Sequence, residues 1–435
     1  MTPPAETVET AATLANNDNN DKDSVLAKLG PGLITGAADD DPSGIATYSQ
    51  AGAQFGFNML WTILLTYPLM CGIQIVSARI GRVSGHGLAS NIARHYPKWL
   101  LYFIVGSLLV ANCINIGADL AAMGEASKLL LGGQAKWYAI VFGLISIVLQ
   151  VFIPYQHYVR VLKWLTLALL AYVATVFVVR IPWGQVVLST IIPHISMKAE
   201  YLTMIVAVFG TTISPYLFFW QASQEVEELR AKPEETALLK APLQAIKSLR
   251  RINIDTFIGM GFSNMVAFFI MLTTAVTLHM HGQTEIQSSA QAAAALKPIA
   301  GEFAFLLFSL GIIGTGLLAI PVLAGSSAYA IAGSFKWKNS LEHTATQARE
   351  FYAVIAVSTV IGVILSLSNI DPIKALFWSA VINGVISVPV MVVMMLMAAK
   401  PAVMGQFVIS RRLTILGWLA TAMMGAAVVA MAFTV

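Results

Sequence analysis

Three consecutive carboxylates and a proline, Asp39-Asp40-Asp41-Pro42, interrupt the apolar stretch LITGAADDDPSGIATYSQAGA near its middle. A charge at bilayer depth costs roughly 3 kcal/mol on insertion scales, so it faces an internal cavity or a partner. Pro42 removes a backbone donor and clashes with the preceding turn, and Gly44 relaxes the chain. A helix through this stretch unwinds here, leaving free carbonyls on one half and free N–H groups on the other. A second stretch, MIVAVFGTTISPYLFFWQASQE, carries a similar break at Gly210, Thr211, Thr212, Ser214 and Pro215. Together the breaks offer carbonyls near Ala38 and Thr211, the Asp41 carboxylate and the Ser214 hydroxyl. The C-terminal end of each half-helix adds the negative pole of its dipole. An all-oxygen, anionic cluster of this kind suits a hard cation. Structural pairing of Asp41 with a cation is the alternative, but no Lys or Arg lies mid-span in any segment. Asp39 and Asp40 point elsewhere, because successive helix residues rotate by about 100°. They line the approach path or are hydrogen-bonded.

The elements that must position these residues follow from composition. Of 435 residues, 57% are hydrophobic and 11% charged, with mean hydropathy +0.73. A soluble domain carries roughly 25% charged residues, so most of this surface faces lipid. A spanning helix needs about 20 mostly apolar residues. That ruler gives eleven spans, 31–57, 58–80, 99–128, 137–154, 159–180, 201–226, 254–280, 302–332, 351–367, 372–398 and 412–434. The net charge of +4 gives no sign of nucleic-acid binding. Cys71 and Cys113 sit in apolar runs and read as small buried hydrophobes. Residues 1–30, polar and Asn/Asp-rich at their start, read as a disordered cytoplasmic tail rather than a signal peptide. The 225–251 loop reads as a solvated linker, and TEIQSSAQAAAALKP as a short helix over the outer face. With the N-terminus inside, 20 basic residues fall on the cytoplasmic side and 6 outside. That bias puts the N-terminus in the cytoplasm and the C-terminus outside an integral plasma (inner) membrane.

Pro42 and Pro215 each fall in the first span of a five-span half. Five is odd, so the second half enters from the opposite face. Residues 31–180 and 201–398 thus form inverted repeats, with 412–435 an added helix. Broken first helices at corresponding positions mark a mid-membrane substrate site. The expected fold is all-α and polytopic, and the expected function is secondary transport of a small cation.

At these residues the sequence resembles the NRAMP family of divalent-metal transporters. GPGLITGAADDDPSGIATYSQAGA is similar to the family's first helix, ADLAAMGEASKLLLG to its third, and ALKPIAGEFAFLLFSLGIIGTGLLA to the eighth span and the loop before it. Asp255 and Asn264 also look familial. The resemblance implies a LeuT-like 5+5 inverted-repeat fold, alternating access, and a divalent metal as cargo. The family's Asp-Pro-Gly-Asn reads Asp41-Pro42-Ser43-Gly44 here, so the Asp ligand stays and the Asn becomes Gly44. Its Met-Pro-His reads Ser214-Pro215-Tyr216, so a thioether becomes a hydroxyl and a His becomes Tyr216. The backbone carbonyl ligand falls at Thr211.

A soft thioether favours transition metals over Mg²⁺ and Ca²⁺. Its loss removes that discrimination, and both replacements empty volume beside Asp41. Mg²⁺ keeps several waters and needs a roomier site. The pattern resembles the NRAMP-related magnesium transporters, which implies Mg²⁺ and also Mn²⁺. Proton-coupled members carry a Glu three positions after the third-helix Asp; here Asp119 is followed by Ala122. A second sixth-helix His aligns with Gln221. Uncoupled transport driven by membrane potential is the expectation; the alternative, proton coupling, stays open through Glu125, one turn after Ala122, as a substitute carrier.

Asp119 lines the pathway or joins a network with Asn112 and Asn115. Asn383 and Asn264 serve as interhelical hydrogen-bond partners or support the ligands. Tyr48, Tyr216 and Trp220 gate or pack beside the break. His279 and His281 read as surface residues, and Gly311, Gly314 and Gly316 as close-packing positions. A proton-coupled Mn²⁺/Fe²⁺ importer is the rival in mechanism. A sodium-coupled organic-solute symporter on the same fold is the rival in class, disfavoured by the triple Asp for anionic solutes. No Ser/His or metal-ligand pair within the spans supports an intramembrane enzyme or scaffold. No resident cofactor and no obligate protein partner is expected beyond the bilayer and the ion.

Overall fold

The computed structural model describes residues 31–153, 165–232, 234–341 and 343–434. The tail expected over 1–30 and the start of the fifth span, with Arg160 and Lys163, lie outside the described residues. The first break divides α1 (Pro31–Asp39) from α2 (Pro42–Phe55). Pro42 occupies the first turn of α2, where its missing N–H has no helical partner to lose. Asp41 before it is extended, with φ −71° and ψ 169°. The second break divides α9 (Ala199–Thr212) from α10 (Pro215–Ala231) in the same manner. Ser214 is extended there, with φ −82° and ψ 133°.

Between the two breaks run α3 (Leu60–Ser84), α4 (Leu88–His95), α5 (Lys98–Leu131), α6 (Ala135–Phe152), α7 (Leu170–Val176) and α8 (Trp183–Ile191). After α10 come α11 (Ala245–Thr277), α12 (Ser289–Ala294), α13 (Ala304–Phe335), α14 (Arg349–Ser366), α15 (Pro372–Ala398) and α16 (Arg411–Ala432). The short α12 lies in the loop for which helix was expected.

Among the described residues, nine helical runs are long and apolar enough to cross a bilayer. The eleven expected spans map onto them with two differences. The turn Gly56–Met59 joins α2 directly to α3, so the first two spans form one continuous run. The fifth span is described only from Leu165. Gly56 makes the join with φ +58°, a backbone geometry that disfavours a side chain.

The broken helices lie at the centre. The most apolar stretch of the α9–α10 run is 100% buried, against 22% for α6 and for α16. The two peripheral helices present Trp137, Leu144, Phe152, Ile415 and Val429 outward, an apolar belt suited to lipid. Close approach at the centre depends on Gly210, where an added Cβ would collide with the Ala380 carbonyl and the Gly384 backbone of α15.

The 225–251 segment departs from the expected solvated linker. The Arg82 side chain is 1% exposed and pairs with Glu235 and with Ser248, 3.1 Å away. Arg251 reaches Glu225 at 2.6 Å, Glu228 at 2.7 Å and Asp255 at 3.2 Å. Leu238 and Leu239 donate backbone N–H groups to the carbonyls of Arg82 and Val83. The segment is thus an ionic clasp that ties the ends of α3, α10 and α11. Opposite charges alternate along the loop, which looks like a solvated face in sequence; only the fold brings Arg82 beneath it.

Candidate metal centre at the paired helix breaks

Asp41 does two jobs at once. Its Oδ1 caps α2, accepting from Gly44 N at 2.8 Å and from the Ser43 hydroxyl at 2.6 Å. That satisfies orphan donors of the helix start. Oδ2 turns away from the helix and accepts from Asn115 Nδ2 at 3.0 Å. The Tyr216 hydroxyl lies 3.5 Å from Oδ2 and donates to the Ala38 carbonyl at 3.2 Å. Tyr216 of the second break therefore reaches two ligand candidates of the first.

The breaks also meet at Gly44. A Cβ there would stand 3.1 Å from Thr211 Oγ1 and 3.3 Å from the Tyr48 ring. The Thr211 hydroxyl is buried and without a hydrogen-bond partner. A side chain at 44 would press on these groups, so glycine lets the two breaks approach closely. Ser214 donates its proton back to Gly210 O at 2.8 Å and Thr211 O at 2.9 Å. Its lone pairs remain available to a cation. The carbonyl of Ile213, freed by the break, is taken by Ser387 of α15 at 2.6 Å.

Asp39, Asp40, Asp41, Thr211, Ser214 and Tyr216 are each at most 3% exposed. The site is thus closed off from solvent. Among the described residues no three His, Cys, Asp or Glu side chains converge on one point. The oxygens gathered here are one carboxylate with hydroxyls and carbonyls, a donor set that would suit a hard ion that keeps waters.

Asp119 joins this centre through Asn115, whose Nδ2 lies 3.1 Å from Asp119 Oδ2. Asn383 donates to Asn115 Oδ1 at 3.1 Å, the interhelical bond expected of it. Asn112 is not in this network; it donates to Leu323 O and to the Ser326 and Ser327 hydroxyls of α13. Asn115 is the residue that sequence reasoning undervalued. Its spacing of four from Asp119 puts both on one face of α5, a signal available in the sequence, but its reach to Asp41 was not.

Other expected pathway residues lie apart. Gln221 accepts from Gln74 of α3 at 2.5 Å and donates to Thr256 of α11 at 3.1 Å. It links three helices rather than facing Asp41 in this conformation. Glu125 pairs with Lys128 at 3.2 Å with its side chain 31% exposed. It lines a wide cavity of about 350 Å³ with Lys136 and Asp371. Ala122 instead faces a void of about 10 Å³ shared with Ala46 and Ser49. His279 is tied down, its Nδ1 2.8 Å from Ala53 O beside the Gly56 turn.

Comparisons with known proteins agree with this architecture. The family described as "Natural resistance-associated macrophage protein-like" (Nramp) matches residues 32–434. Two similar curated relatives are both called "Divalent metal cation transporter MntH". The one from Klebsiella pneumoniae (strain 342) is 25% identical over 408 residues, 91% of each chain. The one from Klebsiella pneumoniae subsp. pneumoniae is 25% identical over 404 residues, 90% of each chain. Among solved structures, the Eremococcus coleocola manganese transporter superposes with TM-score 0.73 at 17% identity, over 92% of this chain and 85% of that one. The inward-facing conformation of Mhp1 superposes with TM-score 0.52 at 13% identity, over 93% and 90%. The two structural likenesses support the LeuT-like fold.

Proposed function

Since the chain belongs to the Nramp family of divalent metal cation transporters and is an integral membrane protein, we propose that its cargo is Mg²⁺, with Mn²⁺ also accepted, and that transport is not coupled to protons. The observation that carries this reading is the donor set at the paired breaks. Asp41, Ser214, the Thr211 carbonyl and hydroxyl, and the Ala38 carbonyl are all oxygen donors, and no thioether stands at position 214. Oxygen-only sites suit Mg²⁺ and Mn²⁺, whereas a sulfur ligand would bias the site toward softer ions. Gly44 brings no side-chain ligand beside Asp41, which leaves that coordination position to water that Mg²⁺ retains.

The absence of coupling rests on three positions. Ala122 does not titrate, Gln221 is occupied between Gln74 and Thr256, and Glu125 is paired with Lys128. The residues 31–180 and 201–398 act as the two inverted halves around the site. With the N-terminus cytoplasmic, the inside-negative potential draws the ion inward. A divalent ion gains about 4.6 kcal/mol over 100 mV, twice the ~2.3 per charge.

A proton-coupled Mn²⁺ importer is the second reading. The buried Asp119 carboxylate, one amide away from Asp41, favours it. One experiment separates the two. Proteoliposomes are loaded with a divalent-ion dye and a pH dye, and Mg²⁺ or Mn²⁺ is added outside. Uncoupled Mg²⁺ influx that stops in Asp41→Ala supports the proposal. Acidification that tracks Mn²⁺ influx, with no Mg²⁺ entry, overturns it in favour of the second reading.

A further inference from the structure

The four buried carboxylates at the core form two pairs, each joined by one neutral donor. Asp41 and Asp119 share the Asn115 amide, at 3.0 and 3.1 Å. Asp39 and Asp40 share the Ser263 hydroxyl of α11, at 2.7 and 3.0 Å. The first pair belongs to the site already described. The second lies against α11.

Its placement is fixed by a parallel seam. Gly32 lies against the backbone of Asp255 and Thr256, and Gly36 against the backbone of Gly259. Asp40 then meets Ser263 one turn further on. The two chains advance together by four residues at each step, so α1 and α11 run parallel and in contact. The seam delivers Asp39 and Asp40 together onto the mid-span face of α11, at the negative C-terminal end of α1.

A hydroxyl has one proton, so Ser263 cannot donate fully to both carboxylates. Asp39 Oδ1 is buried and has no partner at all. Independently of the acidic pair, the Tyr48 hydroxyl of α2, 1% exposed, has no partner at hydrogen-bonding geometry, the Thr212 hydroxyl being its polar neighbour. It lies within electrostatic reach of Asp39, then of Asp40 and Asp41. Two such oxygens in a dry setting beside a doubly acidic pair offer a cation ligands that no protein donor occupies.

We propose that Asp39, Asp40 and Ser263, with the Tyr48 hydroxyl, form a second divalent-cation site alongside the Asp41 site. The inference rests on the metal-transport reading and extends it to two ions per chain. One divalent ion balances one carboxylate pair, and two pairs call for two. Occupancy of the second site repels the ion at Asp41, the residue next to Asp40 in sequence. A transport site that binds firmly releases faster when a neighbouring site is filled.

The test uses full-length protein in lipid nanodiscs, with Mn²⁺ as the probe read by electron paramagnetic resonance and by calorimetric titration. Wild type is expected to bind about two Mn²⁺ per chain, one for each acidic pair. Asp41→Asn is expected to bind one, and Asp39→Asn/Asp40→Asn to bind the other. Combining Asp41→Asn with Asp39→Asn/Asp40→Asn should bind none. Ser263→Ala, a milder change, should weaken the second step about tenfold while leaving the first in place. The Mn²⁺ retained at Asp41 shows that each second-site variant is folded. A wild-type stoichiometry of one, lost in Asp41→Asn and intact in Asp39→Asn/Asp40→Asn, overturns the second site and leaves the transport reading standing. A wild type that binds no Mn²⁺ overturns both.

Discussion

The side-chain amide of Asn115 lies 3.0 Å from Asp41 Oδ2 and 3.1 Å from Asp119 Oδ2, one donor serving two buried carboxylates. Its own Oδ1 is held by Asn383 at 3.1 Å. This chain fixes the free oxygen of Asp41 from behind while Ser43 and Gly44 hold the other. Asn115→Leu removes the shared donor and leaves the carboxylates facing without it. Mg²⁺ influx into proteoliposomes is expected to fall by about tenfold or more, the worth of a hydrogen bond to a charged group. A rate equal to wild type would mean that the bridge has no role in holding Asp41.

Ser214→Met places a thioether where the hydroxyl now bonds back to Gly210 and Thr211. Soft sulfur favours Mn²⁺ over Mg²⁺. The ratio of Mn²⁺ to Mg²⁺ uptake should rise, measured as competition between the two ions in one vesicle preparation. An unchanged preference removes position 214 from the ligand set.

Gly210→Ala tests how closely the second break is packed. The new methyl group would run into the main chain at Ala380 and Gly384, which cannot rotate away. A loss of about 1–3 kcal/mol is expected from overpacking, seen as a lower melting temperature in detergent. Gly184→Ala, with nothing within 4 Å of its added Cβ, is the control and should melt like wild type.

The ionic clasp carries a pH signature. Burial pulls the Glu235 carboxyl upward, but the Arg82 hydrogen bond and charge, and then Lys232, hold it below the usual glutamate range. A depressed folded value means the stabilisation is present above about pH 4.3, the unfolded value. It is lost as pH falls through the folded value. Wild type should therefore melt higher than Glu235→Gln at neutral pH, and the gap should close in strong acid. A gap that persists at low pH would show that the contact with Arg82 is not its source.

The uncoupled reading of Ala122 and Gln221 makes a further prediction. Ala122→Glu puts a carboxylate into a void of about 10 Å³ beside Ser49, too small for it without local repacking. Restoring that residue alone should leave Mg²⁺ influx free of proton movement, read with an internal pH dye. Coupled acidification in this single variant would show that the rest of a proton route is already in place.

Much of the fold was legible because membrane burial is written in composition. Long apolar runs and two proline-centred breaks 173 residues apart each follow from the cost of placing polar groups in lipid. The identities of Asp41, Ser214 and Gly44 likewise carry, in the sequence itself, the oxygen-only donor set that we propose. The sequence alone could not say which polar groups within the spans touch. Asn115 bridges residues 74 and 4 positions away, and Ser263 meets Asp39 and Asp40 across more than 220 residues. The clasp was misread as solvated linker because its buried partner, Arg82, lies 153 residues before Glu235. Local propensity and hydropathy act over a turn or a span, whereas hydrogen bonds between helices depend on how those spans rotate and close around one another. Only the tertiary structure fixed that rotation, and with it the sorting of four buried carboxylates into two pairs.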